Sequence, residues 1–267
     1  MAMLAFAGNS ILCRMALAGG AIDPWSFTAL RLASGALVLL PFLRGERDAT
    51  GWNPRSALAL FVYALGFSLA YVSLETGVGA LLLFGAVQVT MLAAGWIQGE
   101  RPNARQAAGL ILAIVGVVAL LAPGASAPEP LGALAMVAAG VAWGSYSLFG
   151  RGAARPARSS ARNFVMCAPL AVALMFVVRG VDQLDGRGAL LAVGSGALTS
   201  GLGYVLWYAA LRGLSATSAA VVQLVVPALA ALGGVLLLGE QLGPRLLIAG
   251  ALTLGGVLLA LFSSSAR

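Results

Sequence analysis

Apolar stretches of about twenty residues recur along the chain, separated by short clusters of Arg, Asp, Glu, Pro and Gly. Ten can be drawn: roughly 1–18, 25–43, 56–73, 78–98, 105–121, 131–149, 160–178, 188–210, 216–238 and 245–262. Each has about the length an α-helix needs to cross a hydrocarbon layer. Runs such as "AVVQLVVPALAALGGVLLL" show no period of two, which argues against a β-barrel. The pattern predicts an all-α integral membrane protein of ten transmembrane helices. The longest linkers, "RGERDATGWNPR" and "RGAARPARSSAR", connect helices and are too short to fold alone. Residues 1–18 lack a basic n-region and a cleavage site, so they read as a retained helix with a clipped start and not as a signal peptide.

Composition agrees with a membrane solvent. The 267 residues are 60% hydrophobic and only 9% charged, with a mean hydropathy of +0.96, too much apolar surface for a soluble domain to bury. The basic residues are all Arg. With ten spans, Arg44, Arg47, Arg55, Arg101, Arg105, Arg151, Arg155, Arg158, Arg212 and Arg267 fall on one side, and Arg179, Arg187 and Arg245 on the other. The rich side is expected to be cytoplasmic and to hold both termini, in a bacterial inner membrane. The net charge of +7 is mostly this topology signal, and no aromatic residues interleave the arginines, so nucleic acid is not an expected partner.

The chain also repeats a corner. "IQGERPNARQAAGLILAIVGVVALL" from Ile97 returns as "LLGEQLGPRLLIAGALTLGGVLLAL" from Leu237, with Gly99 on Gly239, Glu100 on Glu240, Arg105 on Arg245 and Gly116 on Gly256. "FAGNSILCR" from Phe6 resembles "VAWGSYSLFGR" from Val141, "ALRLASGALVLLP" from Ala29 resembles "SARNFVMCAPLAVAL" from Ser160, and "YVSL" at Tyr71 resembles "YAAL" at Tyr208. Five spans make one unit. Because five is odd, residues 1–124 and 125–267 are expected to cross the membrane in opposite senses, an inverted repeat of the kind that lets a carrier alternate its access.

At these residues the chain resembles a known family. "WGS" at Trp143, the Y-x-x-L sequences, Pro227 in the ninth span and "LLLGE" at its end are similar to the EamA-like branch of the drug/metabolite transporter superfamily, in particular to bacterial exporters of aromatic amino acids. The first half departs from the family pattern, with Gly8-Asn9 where Trp-Gly is common and Gln88-Val89-Thr90 in place of the proline. The resemblance implies export of small neutral amphiphiles, most simply amino acids with aromatic or apolar side chains, with drugs or quaternary cations as the alternative cargo. A membrane-embedded enzyme or a structural protein is the alternative of another class, but the Ser–His pairs and metal-ligand spacings that intramembrane chemistry wants are absent from the sequence. No cofactor is expected.

Polarity suggests which spans line a pathway. Spans five and ten carry small-residue stripes, Gly109, Ala113 and Gly116 matched by Ala249, Thr253 and Gly256, and read as scaffold that packs within the chain or, alternatively, in a dimer; a monomer is expected. Trp143 and Tyr146 share one helical face, as do Ser200, Tyr204 and Trp207. Asn9, Ser10, Tyr71, Gln88 and Gln223 stand at comparable depths on other spans. The expected substrate-binding set is Asn9, Tyr71, Gln88, Trp143, Tyr146, Tyr204, Trp207 and Gln223, against the alternative that the amides bond neighbouring helices and the aromatics pack or form belts. Trp25 and Trp52 read as belt or loop residues. No carboxylate lies deep in a span, and Glu75 is the nearest candidate for coupling, against a solvated turn role. Arg14, Arg31 and Arg162 are expected to snorkel, with gating or contact to a substrate carboxylate as the other possibility.

Overall fold

The structure, a computed structural model, describes residues 1–44, 52–97, 103–124, 127–150, 153, 155–178, 185–211 and 222–262. Gly99, Glu100, Arg47, Arg101, Arg151, Arg179, Arg212 and Arg267 lie outside the described residues.

The described residues form helices and no strand. In chain order they are α1 (Ala2–Leu17), α2 (Pro24–Leu39) with a 3₁₀ turn (Leu40–Leu43), α3 (Pro54–Ala70), α4 (Thr76–Ile97), α5 (Ala104–Leu121) and α6 (Pro130–Phe149). Then come α7 (Pro156–Val178), α8 (Gly186–Gly194) continuing through a π-helical segment (Ser195–Leu202) into α9 (Gly203–Leu211), α10 (Val225–Leu238) and α11 (Pro244–Phe262). Several starts are written locally. The Asp23 carboxylate accepts from the Trp25 and Ser26 amides, Asn53 from Ser56, and Glu129 from Leu131 and Gly132, each directly before a proline at the first helical position. Asn103 and Gln106 form a reciprocal capping box at α5.

Six of these helical segments are long and apolar enough to cross a membrane: Pro24–Leu43, Thr76–Gly95, Ala104–Leu121, Pro130–Phe149, Pro156–Val178 and Gly186–Trp207. Ala2–Leu17, Pro54–Ala70, Val225–Leu238 and Pro244–Ala260 are apolar and shorter. All fall on expected spans. The exterior is apolar, with Leu37, Ile111, Val118, Leu134, Val177 and Leu236 exposed, while Asn9, Arg31, Ser68, Gln88 and Asn163 are buried. That inversion of the usual soluble arrangement suits a lipid solvent.

The principal pairings are α5 with α11, α2 with α7, α3 with α6, α4 with α6 and with α10, α1 with α10, and α1 and α2 with the α8–π–α9 rod. The stripes of α5 and α11 pack against each other inside the chain. A Cβ on Gly109 would stand 2.5 Å from the Gly256 carbonyl oxygen, and one on Gly256 2.5 Å from the Ala113 amide nitrogen, so the two backbones touch where only small residues permit it.

Candidate functional site

The inward faces of α1, α3, α4, α6 and the α8–π–α9 rod meet around a small chamber lined by Phe6, Asn9, Ser10, Tyr63, Phe67, Leu83, Phe84, Trp143, Thr199 and Tyr204. Its aromatic wall is continuous. Trp143 lies 4.7 Å from Tyr63, 4.9 Å from Tyr204 and 5.4 Å from Tyr146, centroid to centroid, and Phe6 presents its edge to Trp143, Tyr204 and Trp207 at about 6 Å. The free volume is about 10 Å³, room for one water, so the rings are closed on one another.

A polar seam crosses one side. Tyr63 Oη accepts from Asn9 Nδ2 at 3.4 Å and from Arg31 Nη2 at 3.0 Å, and Arg31 Nε donates to Ser200 Oγ at 3.0 Å. Asn9 Oδ1 accepts from Ser195 Oγ at 2.7 Å and from Thr199 Oγ1 at 3.1 Å. These three hydroxyls belong to the π-helical segment. Its wider turn is a local departure from regular helix, of the kind that often marks functional sites, and it presents Ser195, Thr199 and Ser200 to α1 and α2 together. Gly196, in the same segment, lies against the Arg31 backbone, where a Cβ would overlap the Arg31 carbonyl.

Of the expected set, Asn9, Trp143 and Tyr204 line the chamber directly. Tyr146 and Trp207 form its second layer, Tyr146 with its hydroxyl 3.2 Å from Ser160 Oγ. Gln88 is buried one helical turn from Phe84, with Nε2 lacking a hydrogen-bond partner. Tyr71, which ends α3, belongs to the same second layer, its ring 4.7 Å from Phe67 and its hydroxyl donating to the Thr76 carbonyl at 3.2 Å, whereas Gln223 is buried just before α10 and is not among the lining residues. Phe6, Tyr63, Phe67, Ser195 and Thr199 complete the site without having been singled out by sequence; the Tyr63–Phe67 pair, four apart on α3, carries the same one-face signal as Trp143 and Tyr146.

Arg31, mid-helix and buried, does not snorkel. Arg14, in the last turn of α1, pairs with Glu240 at 3.2 Å and donates to the Tyr71 and Val72 carbonyls at 3.1 and 3.0 Å, while Glu240 Oε2 accepts from the Thr76 amide at 2.8 Å. This latch ties α1, the α3–α4 corner and the end of α10 together. Gly239 makes it possible: its φ of 68° ends α10 in the left-handed region that favours glycine and turns Glu240 back toward Gly234. Glu75, beside the latch, is an exposed residue of the α3–α4 corner lining a surface cleft of about 350 Å³ with Glu129 and Arg245.

Partial burial, and then the Glu240 carboxylate, raise the Glu75 pKa above its ordinary 4.5, with Arg14 opposing. A raised folded-state pKa favours the protonated form, so ionised Glu75 is a small penalty at neutral pH that disappears as pH falls below the ordinary value. Glu75→Gln should therefore raise the melting temperature slightly at pH 7 and not at pH 4. An equal shift at both would assign it to something other than charge.

An all-helical bundle with an apolar exterior, a closed aromatic chamber with a polar seam, and an ion-pair latch at one end is the anatomy of a carrier, and comparison with known proteins decides the family. Residues 1–122 and 130–262 match the EamA-like transporter family. The chain belongs to that family. Its relatives include an uncharacterized protein of Pseudomonas aeruginosa, 56% identical over 98% of this chain and 92% of that one. The threonine/homoserine exporter RhtA of Escherichia coli is 30% identical over 89% of this chain and 80% of its own length. A protein of Streptantibioticus cattleyicolor named "Probable terminal-alkyne amino-acid exporter" is 27% identical over 92% and 86%. A solved crystal structure shares the fold of this chain with a TM-score of 0.68 at 22% identity, covering 99% of this chain and 98% of that one. The protein is a multi-pass membrane transporter whose relatives include amino-acid exporters.

Proposed function

We propose that the protein exports small neutral amino acids, those with apolar or aromatic side chains foremost, by alternating access in a bacterial inner membrane, as a monomer. The observation that carries this reading is the chamber: Trp143, Tyr204, Phe6 and Tyr63 offer flat apolar walls, and Asn9, Thr199 and Tyr63 place hydrogen-bonding groups on one side. Such a site fits an amphiphile with one apolar end and one polar end. Relatives that export amino acids support the substrate class.

Alternation is supported by the pairings. With the four shorter helices counted as spans and α8–π–α9 as one rod, ten crossings divide into residues 1–124 and 125–267. Exchange of the halves then turns α3 with α6 into the rod with α1, α4 with α6 into α10 with α1, and α2 with the rod into α7 with α3; all six pairings occur. The pairs α5–α11, α2–α7 and α4–α10 map onto themselves. A carrier built on an inverted repeat can exchange the conformations of its halves, with the site between them. On this reading the Arg14–Glu240 latch closes the outer end.

Aromatic walls would also suit a quaternary cation. Arg31, a buried cation against two of the chamber's rings, disfavours that cargo by repulsion.

A panel of ligands tests the substrate class. The melting temperature of the purified chain should rise with excess phenylalanine, leucine or methionine, by the mass-action gain of about 2.7 kcal/mol at a hundredfold over Kd. Quaternary ammonium ions should leave it unchanged. A rise with those ions and none with any amino acid would replace this reading by cation efflux. Orientation is tested by cysteine labelling, with Cys13 and Cys167 buried and silent: Arg155→Cys should react only from the cytoplasm and Ala127→Cys only from outside. Reaction of both from one side would end the inverted-repeat reading, since the two flank α6 alone.

A further inference from the structure

Arg31 sits at the middle of α2, eight residues from the last residue of that helix, and is 1% exposed, too deep to reach either interface. Its partners are all neutral. Nε donates to Ser200, Nη2 to Tyr63, and the guanidinium lies 5.1 and 5.0 Å from the ring centroids of Tyr63 and Phe67, both in the chamber wall. The titratable groups around it are Tyr63, Tyr204 and Cys13. The described carboxylates Asp23, Glu75, Glu129, Asp185 and Glu240 all stand at helix ends. Cation–π contact offsets part of the burial cost, and an unpaired charge at this depth remains expensive.

The hydrogen-bond inventory around the chamber points the same way. Arg31 Nη1 has no partner, and Gln88 Nε2, one helical turn beyond the lining residue Phe84, has none either. Both can donate. The best acceptor nearby, Asn9 Oδ1, is already engaged by Ser195 and Thr199. The site therefore has donors and a positive charge to spare, and lacks an anion.

We propose that Arg31 is the anchor for the carboxylate of the transported substrate, so that the cargo is an α-amino acid recognised by its carboxylate and not merely by an apolar side chain. This rests on the amino-acid reading above and narrows it. A carboxylate accepting from the guanidinium makes the charge-assisted, two-point contact for which the guanidinium fork is shaped. In the closed chamber, Tyr63 and Phe67 cover the guanidinium. Substrate binding displaces those rings, and the carboxylate takes the place of the Tyr63 hydroxyl at Nη2 while reaching Nη1. Cargo selectivity follows: an amino-acid amide, which keeps the ammonium and the side chain but loses the anion, meets Arg31 as a second cation.

The test compares L-phenylalanine, L-leucine and L-threonine with their carboxamides, by direct binding to the full chain in lipid nanodiscs. The wild-type protein should bind at least one acid about 10-fold or more tighter than its amide, the scale of a charge-assisted contact. Arg31→Gln should bring acid and amide to within about 3-fold of each other while the melting curve stays cooperative, and Arg31→Lys should keep a preference for the acid at reduced affinity. Equal wild-type binding of acid and amide overturns the anchor, whatever the variants do. So does an Arg31→Gln protein that folds and keeps the full preference, which would leave Arg31 as a strut joining α2, α3 and the π segment. If the wild-type binds none of the acids, the amino-acid reading itself falls and the anchor with it, a result distinct from binding without discrimination.

Discussion

Gly116→Leu should leave little folded protein. A Cβ at Gly116 would stand 2.6 Å from the Thr253 amide nitrogen and 2.8 Å from the Ala249 carbonyl oxygen, and these are backbone atoms with no rotamer through which to yield. Thr253 Oγ1 also donates to the Ala113 carbonyl across the same crossing, and that bond is lost when α5 is pushed off α11. Overpacking costs about 1–3 kcal/mol in cores that can adjust; with backbone on the far side the upper end applies, and losing the hydrogen bond adds to it. The melting temperature in detergent and the monodisperse fraction measure the effect. Gly255→Leu is the control, because a Cβ there meets nothing within 4 Å. Normal behaviour of Gly116→Leu would mean that α5 and α11 do not touch in the membrane.

Trp143→Ala and Tyr204→Ala are expected to change selectivity as well as affinity. Each ring packs on several others, Trp143 on Phe6, Tyr63, Tyr146 and Tyr204, and Tyr204 on Phe6, Trp143, Tyr146 and Phe164. Removing either takes away a stacking surface for a large side chain. Apparent binding of aromatic and large apolar amino acids should weaken by about 1–3 kcal/mol, and that of alanine or threonine by less. Trp25→Ala, at the half-buried first turn of α2, should be nearly silent. Equal losses for every substrate at normal membrane levels would assign Trp143 and Tyr204 to packing or gating, and with it remove the basis for a preference for aromatic side chains.

Sequence and structure agree most closely where the physics is local. Helix positions follow from apolar length and from the caps that end it, because Asp23-Pro24, Asn53-Pro54 and Glu129-Pro130 satisfy helix starts without help from the rest of the chain. The placement of Asn9, Trp143 and Tyr204 was also readable, since polar and amphipathic side chains in a lipid solvent turn inward. What was not readable depended on which helix faces which. Arg31 reaching Tyr63 and Ser200 requires α2, α3 and the π segment to meet at one level, and periodicity along α2 alone cannot separate an inward arginine from one that snorkels. Arg14 and Glu240, 226 residues apart, form a latch that no local pattern announces. Tyr71 stands directly behind the lining, its ring 4.7 Å from Phe67 and its hydroxyl bonded to the Thr76 carbonyl, a position set by the turn that ends α3.

Transport itself is most directly read by counterflow. In proteoliposomes loaded with unlabelled leucine or phenylalanine, labelled amino acid outside should accumulate transiently, because a carrier that alternates must return loaded or empty through the same site. No imposed proton gradient should be needed, since the described carboxylates all lie at helix ends and the sequence contains no His. Accumulation that depends on internal amino acid and is clearly reduced in Arg31→Gln is the predicted result. Uptake indifferent to internal amino acid, or none for any amino acid with correctly inserted protein, would contradict an amino-acid carrier working by alternating access.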